Sequence, residues 1–228
     1  MRTLIALCLI SFISSSVIAQ NCSRFYPMEE GTNFQYTSYN KKGKTEGTAD
    51  YKVTTVADNG DTTTATMDIS FTDNKGKKVY DQDYTFSCTG NMVRIDYESL
   101  VPKQMMEQYK DMEMEITGTD IELPNDLSVG QELADANVTL KVSMGGMNMN
   151  TTVDMLNRKV ERQESVTTPA GTYNCYVVYS ENQSKMMMAK HTFPSRVWLA
   201  EGVGMVKQET YKKNGDLMSS TVLTEFGK

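Results

Sequence analysis

Few side chains in this sequence could do chemistry, and their spacing does not favour catalysis. There is one histidine, His191, in Lys190-His191-Thr192-Phe193, and no serine stands in the strand-to-helix elbow that a Ser-His-Asp site uses. The carboxylate pairs Asp81/Asp83 and Glu113/Glu115 stand at strand spacing among polar neighbours, which suits a wet face better than a general acid–base pair. Zinc spacing, a calcium loop and a glycine-rich phosphate loop are all missing from the sequence. The expectation is a protein that is not an enzyme and has no cofactor or metal.

Methionine is the compositional oddity, with 17 in the chain. Thioethers are soft ligands suited to copper(I), and Met144-x-x-Met147-x-Met149 and Met186-Met187-Met188 near His191 invite that reading. Flexible thioethers also fill irregular cores and line adaptable grooves. Met147 and Met149 share the apolar parity of a hairpin, and Met105, Met106 and Met112 share a helix face. Apolar packing or a methionine-lined groove is therefore the preferred reading, with copper(I) as an alternative.

The chain of 228 residues opens with a basic start, an apolar run from Leu4 to Ile18 and small residues up to Ala19. That pattern is a secretory signal over 1–19, leaving 20–228 as one exported β-domain with a possible subdomain joint near 118–130. Cys22 follows Gln20-Asn21 rather than a small residue, so lipidation is not expected. A periplasmic or secreted form is expected instead. No later stretch reaches the ~18 apolar residues of a transmembrane helix. The net charge of −6 argues against nucleic acid as the main partner. The compartment permits disulfides, and Cys22, Cys88 and Cys175 allow one intrachain bridge. Cys88 ends the alternation Tyr84, Phe86, Cys88, and Cys175 sits in Tyr173, Cys175, Val177, Tyr179. Their shared apolar parity favours Cys88–Cys175, with Cys22–Cys88 close behind.

These residues are carried by elements of period two, broken by Asn/Asp/Gly/Lys turns. The pattern predicts strands near 33–40, 46–57, 62–73, 77–88, 137–144, 147–157, 159–168, 172–180, 203–211 and 217–226. The turns are too short for crossover helices, so the fold class is mainly β: an antiparallel meander forming a strongly curved sheet or half-barrel. A two-residue loop at Gly145-Gly146 would set Met144 opposite Met147, Val142 opposite Met149 and Val138 opposite Val153. One short amphipathic helix is predicted near 100–113, with Met105, Tyr109 and Met112 on its apolar face, Pro102 in its first turn and Ser99 as its cap.

Two phrases carry a family likeness. Arg158-Lys159-Val160 with Glu164-Ser165-Val166-Thr167-Thr168-Pro169-Ala170-Gly171-Thr172-Tyr173-Asn174-Cys175, and Trp198-Leu199-Ala200-Glu201-Gly202-Val203-Gly204-Met205-Val206-Lys207, resemble segments of TapB-like proteins. These are exported proteins of the Bacteroidota built on a domain of unknown function. Phe25-Tyr26-Pro27 with Gly31-Thr32, and Leu127-Ser128-Val129-Gly130, are similar too. The resemblance implies a single antiparallel β-domain of bacterial export with no known cofactor, and it supplies no catalytic residues. By analogy, a lipoprotein-carrier half-barrel also lays one helix across a curved sheet.

The functional expectation is a binding module for an apolar ligand, a lipid or a lipoprotein segment. Its candidate site is a helix lid of Met105, Tyr109 and Met112 over a cavity lined by Ile69, Phe71, Met147 and Met149. Trp198 is either a packing anchor or a stacking residue. The alternative is a structural or protein–protein interaction module of the envelope.

Overall fold

Three of the tight reversals share one construction. The Asn40 side-chain oxygen accepts the backbone N–H groups of Lys42 and Lys44, and Gly43 takes φ +72°. Asp73 does the same for Lys75 and Lys77 around Gly76. In the third, Gly215 N–H donates to Lys212 O, and Lys212 N–H to Asp216 O. A left-handed glycine near the end of a short loop turns the chain without splaying the strands, and the Asn or Asp acceptor holds the first two loops closed.

The computed structural model describes residues 22–144, 147–186 and 189–228, apart from the side chains of Met144, Met147 and Asn148. The expected signal at 1–19, Met187 and Met188 lie outside the described residues. The strands are β1 (Asn33–Asn40), β2 (Thr45–Asn59), β3 (Thr62–Asp73), β4 (Lys78–Thr89), β5 (Met92–Ile95), β6 (Glu113–Thr119) and β7 (Ile121–Pro124). They continue as β8 (Ala136–Met144), β9 (Met147–Thr168), β10 (Gly171–Met186), β11 (Ala189–Ala200), β12 (Gly204–Tyr211) and β13 (Leu217–Gly227).

All belong to one 13-stranded sheet in the order β6-β8-β9-β10-β11-β12-β13-β1-β2-β3-β4-β5-β7. Every pairing is antiparallel. Its two edges, β6 and β7, are consecutive in the chain with only Asp120 between them. A sheet whose edges are joined by one residue must curl until they meet. The result is a nearly closed, barrel-like sheet with, among the described residues, a single short α-helix. The expected class holds, and the curvature goes beyond a half-barrel.

The hairpin register at Met144–Met147, Val142–Met149 and Val138–Val153 is the one the sequence predicts. Other elements differ. Residues 147–168 form one bulged strand rather than two, and β5, β6, β7 and β11 were not among the expected strands. The helix, α1, spans only Lys103–Gln108, after a 3-10 turn at Tyr97–Leu100. Ser99 does not cap it. The Ser99 hydroxyl accepts Thr85 N–H at 3.0 Å and its carbonyl accepts Gln82 Nε2, while Asp96 caps the 3-10 turn. Pro102 occupies the cap position of α1 without a side-chain bond.

Both ends of the barrel are occupied. At one end residues 22–28 enter as a plug. Asn125 Nδ2 donates to Cys22 O at 2.7 Å, Arg24 N–H to Asn125 Oδ1 at 2.8 Å, and Gly202 N–H to Arg24 O at 2.8 Å. Phe25 meets Tyr176 edge-on at 6.0 Å and Tyr26 lies 5.6 Å from Phe86. Gly204, at φ +86°, lets the Tyr26 ring lie against the backbone, since a Cβ there would sit 3.0 Å from Tyr26 Cδ1. At the other end α1 and Val101 cover the inner face of β6, β8 and β9, forming a separate apolar cluster with Val138, Leu140 and Val142.

The plug fixes the disulfide, and here the preferred sequence pairing is corrected. The bridge is Cys22–Cys88, with Cα atoms 5.8 Å apart, and Cys175 is a buried free thiol. Following the ladder from strand to strand puts Cys88 on the inner face with Phe86 and Tyr84. Cys175 falls on the outer face, opposite Ala200 and Glu164. Apolar parity did not distinguish the two faces because β10 is buried on both: Val177 and Val178 are each under a tenth exposed, pointing opposite ways.

Candidate functional site

Between plug and helix the sheet lines a partly open cavity of about 420 Å³. Tyr26 reaches it from the plug and Leu100 from the helix end. Its walls are mainly apolar, with Ile95, Leu123, Met155, Val178, Phe193 and Leu199 among them. A smaller space of about 190 Å³ shares Tyr26, Tyr84, Met205 and Gln208 with it and continues towards Tyr36 and Tyr51. Clefts of about 570 and 600 Å³ elsewhere are lined largely by charged and polar side chains, including Asp50, Lys52, Asp81 and Asp83 in one and Glu132 and Lys159 in the other. The interior space combines apolar walls with a few convergent polar groups, the usual make-up of a small-molecule site.

Those polar groups come from four strands, Gln208 being the contribution of β12. On β10 and β11, Ser180 Oγ and Ser195 Oγ lie 2.9 Å apart, and Asn182 Nδ2 donates to Ser195 Oγ at 2.9 Å. On β9, Arg158 follows Asn157, which takes a left-handed φ of 53°. The Arg158 side chain is buried, and its terminal nitrogens donate to the backbone carbonyls of Ala134 and Glu122. Burial lowers the guanidinium pKa from its usual value, opposed by Tyr26, Asp135 and Glu122. Burial also raises the phenols of the interior tyrosines, Tyr26 and Tyr51 to about 12 and Tyr36 and Tyr84 well above the ordinary value. Tyr36 Oη donates to Met205 O at 2.8 Å.

The structure brings together part of the site expected from sequence. Met105, Tyr109, Met112 and Met149 meet in the cluster under α1, and two residues associated with that cluster, Leu100 and Val153, also line the cavity. Ile69 is buried on β3 and lines the charged cleft instead, and Phe71 stacks on Tyr80 at 4.2 Å. The side chain of Met147 lies outside the described residues. Trp198 is on the opposite face of β11 from the cavity-lining Val197 and Leu199. Its indole N–H donates to Glu164 at 2.6 Å, and Lys207 and Arg162 stand over its ring at 4.6 and 5.9 Å. Around it Arg196 pairs with Glu161 at 2.6 Å and sits over the rings of Tyr179 and Tyr211.

The remaining chemical candidates are solvated. His191 is exposed near the end of β11, Asp81 pairs with Lys78 at 2.7 Å, Asp83 with Lys103, and Glu115 with Lys141 at 3.3 Å. Among the described residues no three His, Cys, Asp or Glu side chains converge on a metal position. No described helix is long and apolar enough to cross a membrane. Sequence reasoning missed Arg158, Ser180, Asn182 and Ser195 as cavity residues. The signal available for Arg158 was its place in a strand between apolar neighbours Leu156 and Val160.

A family model described as DUF3108-like matches residues 29–223. A protein from Bacteroides fragilis, provisionally described as exported and as having a YmcC-like fold, superposes with a TM-score of 0.73 at 20% identity, covering 91% of this chain and 100% of its own. A provisionally described lipoprotein from Parabacteroides distasonis gives 0.74 at 25% identity, with the same coverage of 91% and 100%. No curated protein matches the chain significantly.

Proposed function

The chain belongs to the DUF3108-like family, and from that footing we propose that it is an exported, non-enzymatic β-barrel that holds an apolar or amphiphilic small molecule inside the sheet. The observation that carries this reading is the interior cavity of about 420 Å³ between plug and helix. Its volume lies within the roughly 300–1,000 Å³ typical of ligand sites. The solvated settings of His191 and the carboxylate pairs support binding over catalysis. The narrower TapB-like resemblance is part of the same proposal and rests on the phrases Arg158–Cys175 and Trp198–Lys207 alone.

Helix α1 is the proposed lid. It has six residues, none buried, and no side-chain cap, so it belongs to the part of the fold that opens at lowest cost. Through Leu100 and Val153 it stands one layer from the cavity. Export is supported by the provisional descriptions of both structural neighbours. An unlipidated form is supported by Cys22, whose sulfur is committed to Cys88 and has no valence left for a lipid thioether. Titration of the purified, delipidated protein with the neutral fluorophore N-phenyl-1-naphthylamine tests the binding reading. Saturable emission, displaced by long-chain alcohols and accompanied by a higher Tm, is expected; no saturable binding overturns it.

A further inference from the structure

Arg158 is a full positive charge on the wall of a mainly apolar cavity, 6% exposed, and no Asp or Glu among the described residues lies within ion-pair distance of it. The contrast with the outer face is sharp: Arg162 and Arg196, on neighbouring strand positions, each hold carboxylates. Two backbone carbonyls accept from Arg158, but a carbonyl dipole solvates a cation without neutralising it. Burying an unpaired charge is costly, and a guanidinium stays protonated rather than escaping the cost by losing its proton. Asp135 and Glu122 act on it from beyond ion-pair distance, and it also borders the cleft of Glu132 and Asp135, but no carboxylate lines the cavity side, which therefore retains an attraction for an anion. The same cavity is lined by hydroxyl and amide groups able to meet further polar atoms, Ser180, Asn182, Ser195 and Gln208, and otherwise by aromatic and aliphatic side chains.

We infer that the cavity selects a single-chain amphiphile with a carboxylate head, its carboxylate placed against Arg158 and its chain along the apolar wall formed by Leu123, Met155, Val178 and Leu199. This rests on the reading of the interior as a ligand site and names the class of ligand it takes. A bidentate guanidinium–carboxylate contact out of water is among the stronger polar interactions available, whereas an alcohol of the same chain would leave the charge uncompensated.

The test compares decanoate with decanol, each displacing N-phenyl-1-naphthylamine from the full-length exported protein at neutral pH. Decanoate is expected to bind at least about tenfold more tightly, the ratio for one charge-assisted contact. In Arg158→Gln the ratio of decanoate to decanol affinity should fall to about one. If Arg158→Gln fails to fold, Arg158→Lys keeps the charge and forfeits the fork; the decanoate advantage should then shrink without disappearing. Equal affinities for the two ligands in the wild type would overturn the carboxylate inference and leave apolar binding intact. Failure of decanol and the neutral fluorophore to bind would overturn both.

Discussion

Cutting the Cys22–Cys88 bridge removes the covalent hold on the plug and frees a loop spanning 66 residues. For a loop of that size the chain-entropy relation gives about 4 kcal/mol at 25 °C, a large part of the roughly 5–15 kcal/mol that holds a domain folded. Urea unfolding of the Cys22→Ser/Cys88→Ala pair, followed by near-ultraviolet circular dichroism, should show this directly. With a slope of about 2 kcal/mol per molar urea, the midpoint should fall by roughly 2 M. Reduction of the wild type should reproduce the loss and have no effect on the double variant. Cys175→Ala, which removes one buried sulfur from the outer face, should cost only about 1 kcal/mol. The reasoning is refuted if Cys175→Ala is as damaging as the double variant, or if the double variant loses less than about 1 kcal/mol.

Met105→Glu with Met112→Glu should leave cooperative unfolding in place, because both side chains are only partly buried, while weakening uptake of N-phenyl-1-naphthylamine severalfold. Collapse of the fold instead would show the helix to be sealed core. Base should unfold the protein between the ordinary phenol pKa of 10.0 and the value of about 12 set by burial of Tyr26 and Tyr51. A folded-state pKa raised above the unfolded one gives stability that is fully present below pH 10 and lost as the pH climbs towards 12. Tyrosinate absorbance should appear together with loss of structure, and phenols titrating at their ordinary value in a folded chain would contradict this. Gly204→Ala forces a Cβ into left-handed backbone and to 3.0 Å from Tyr26 Cδ1, so a loss of at least about 1–2 kcal/mol is expected. An unchanged Tm would mean the plug does not need that close approach.

The sequence made the hairpins legible because their turns are chemically explicit: Asn40 and Asp73 with their glycines could hardly serve another purpose. It hid β11 because that strand is not amphipathic. Phe193, Val197 and Leu199 face the cavity while Trp198 is buried on the other side, so period two is erased. Pro194 lacks the N–H of a central-strand residue, and β12 begins pairing only at Ser195, leaving Pro194 partnered on one side alone. The alternation of Met114 and Ile116 with Glu113, Glu115 and Thr117 directly follows the helical pattern predicted to 113, which masks the start of β6 at Glu113. Of the expected site, the cluster under α1 was readable from spacing. The cavity's own polar wall was not, because it depends on which strands from distant parts of the chain become neighbours.

The seam at Asp120 bears on how the chain assembles. Read from β8 onwards, the sheet is a plain meander to β13, which then passes by pairing to β1 and continues in order to β5. The molecule is thus two locally wound ribbons, one from each half of the sequence, whose contacts are mostly between successive strands and can form quickly. Among the strand pairings the join of widest sequence separation is the zipper of β1 to β13, where Phe34 meets Phe226; β5 reaches forward to β7, and the plug reaches Cys88, Asn125 and Gly202. For a chain that crosses a membrane amino terminus first, the first ribbon must wait with one edge of β1 open, its other edge on β2, until β13 emerges. The interval before that arrival is when its interior, tyrosine-rich face lies open. It is also when a chaperone, or a hydrophobic cargo, has its easiest access to the inside of the barrel.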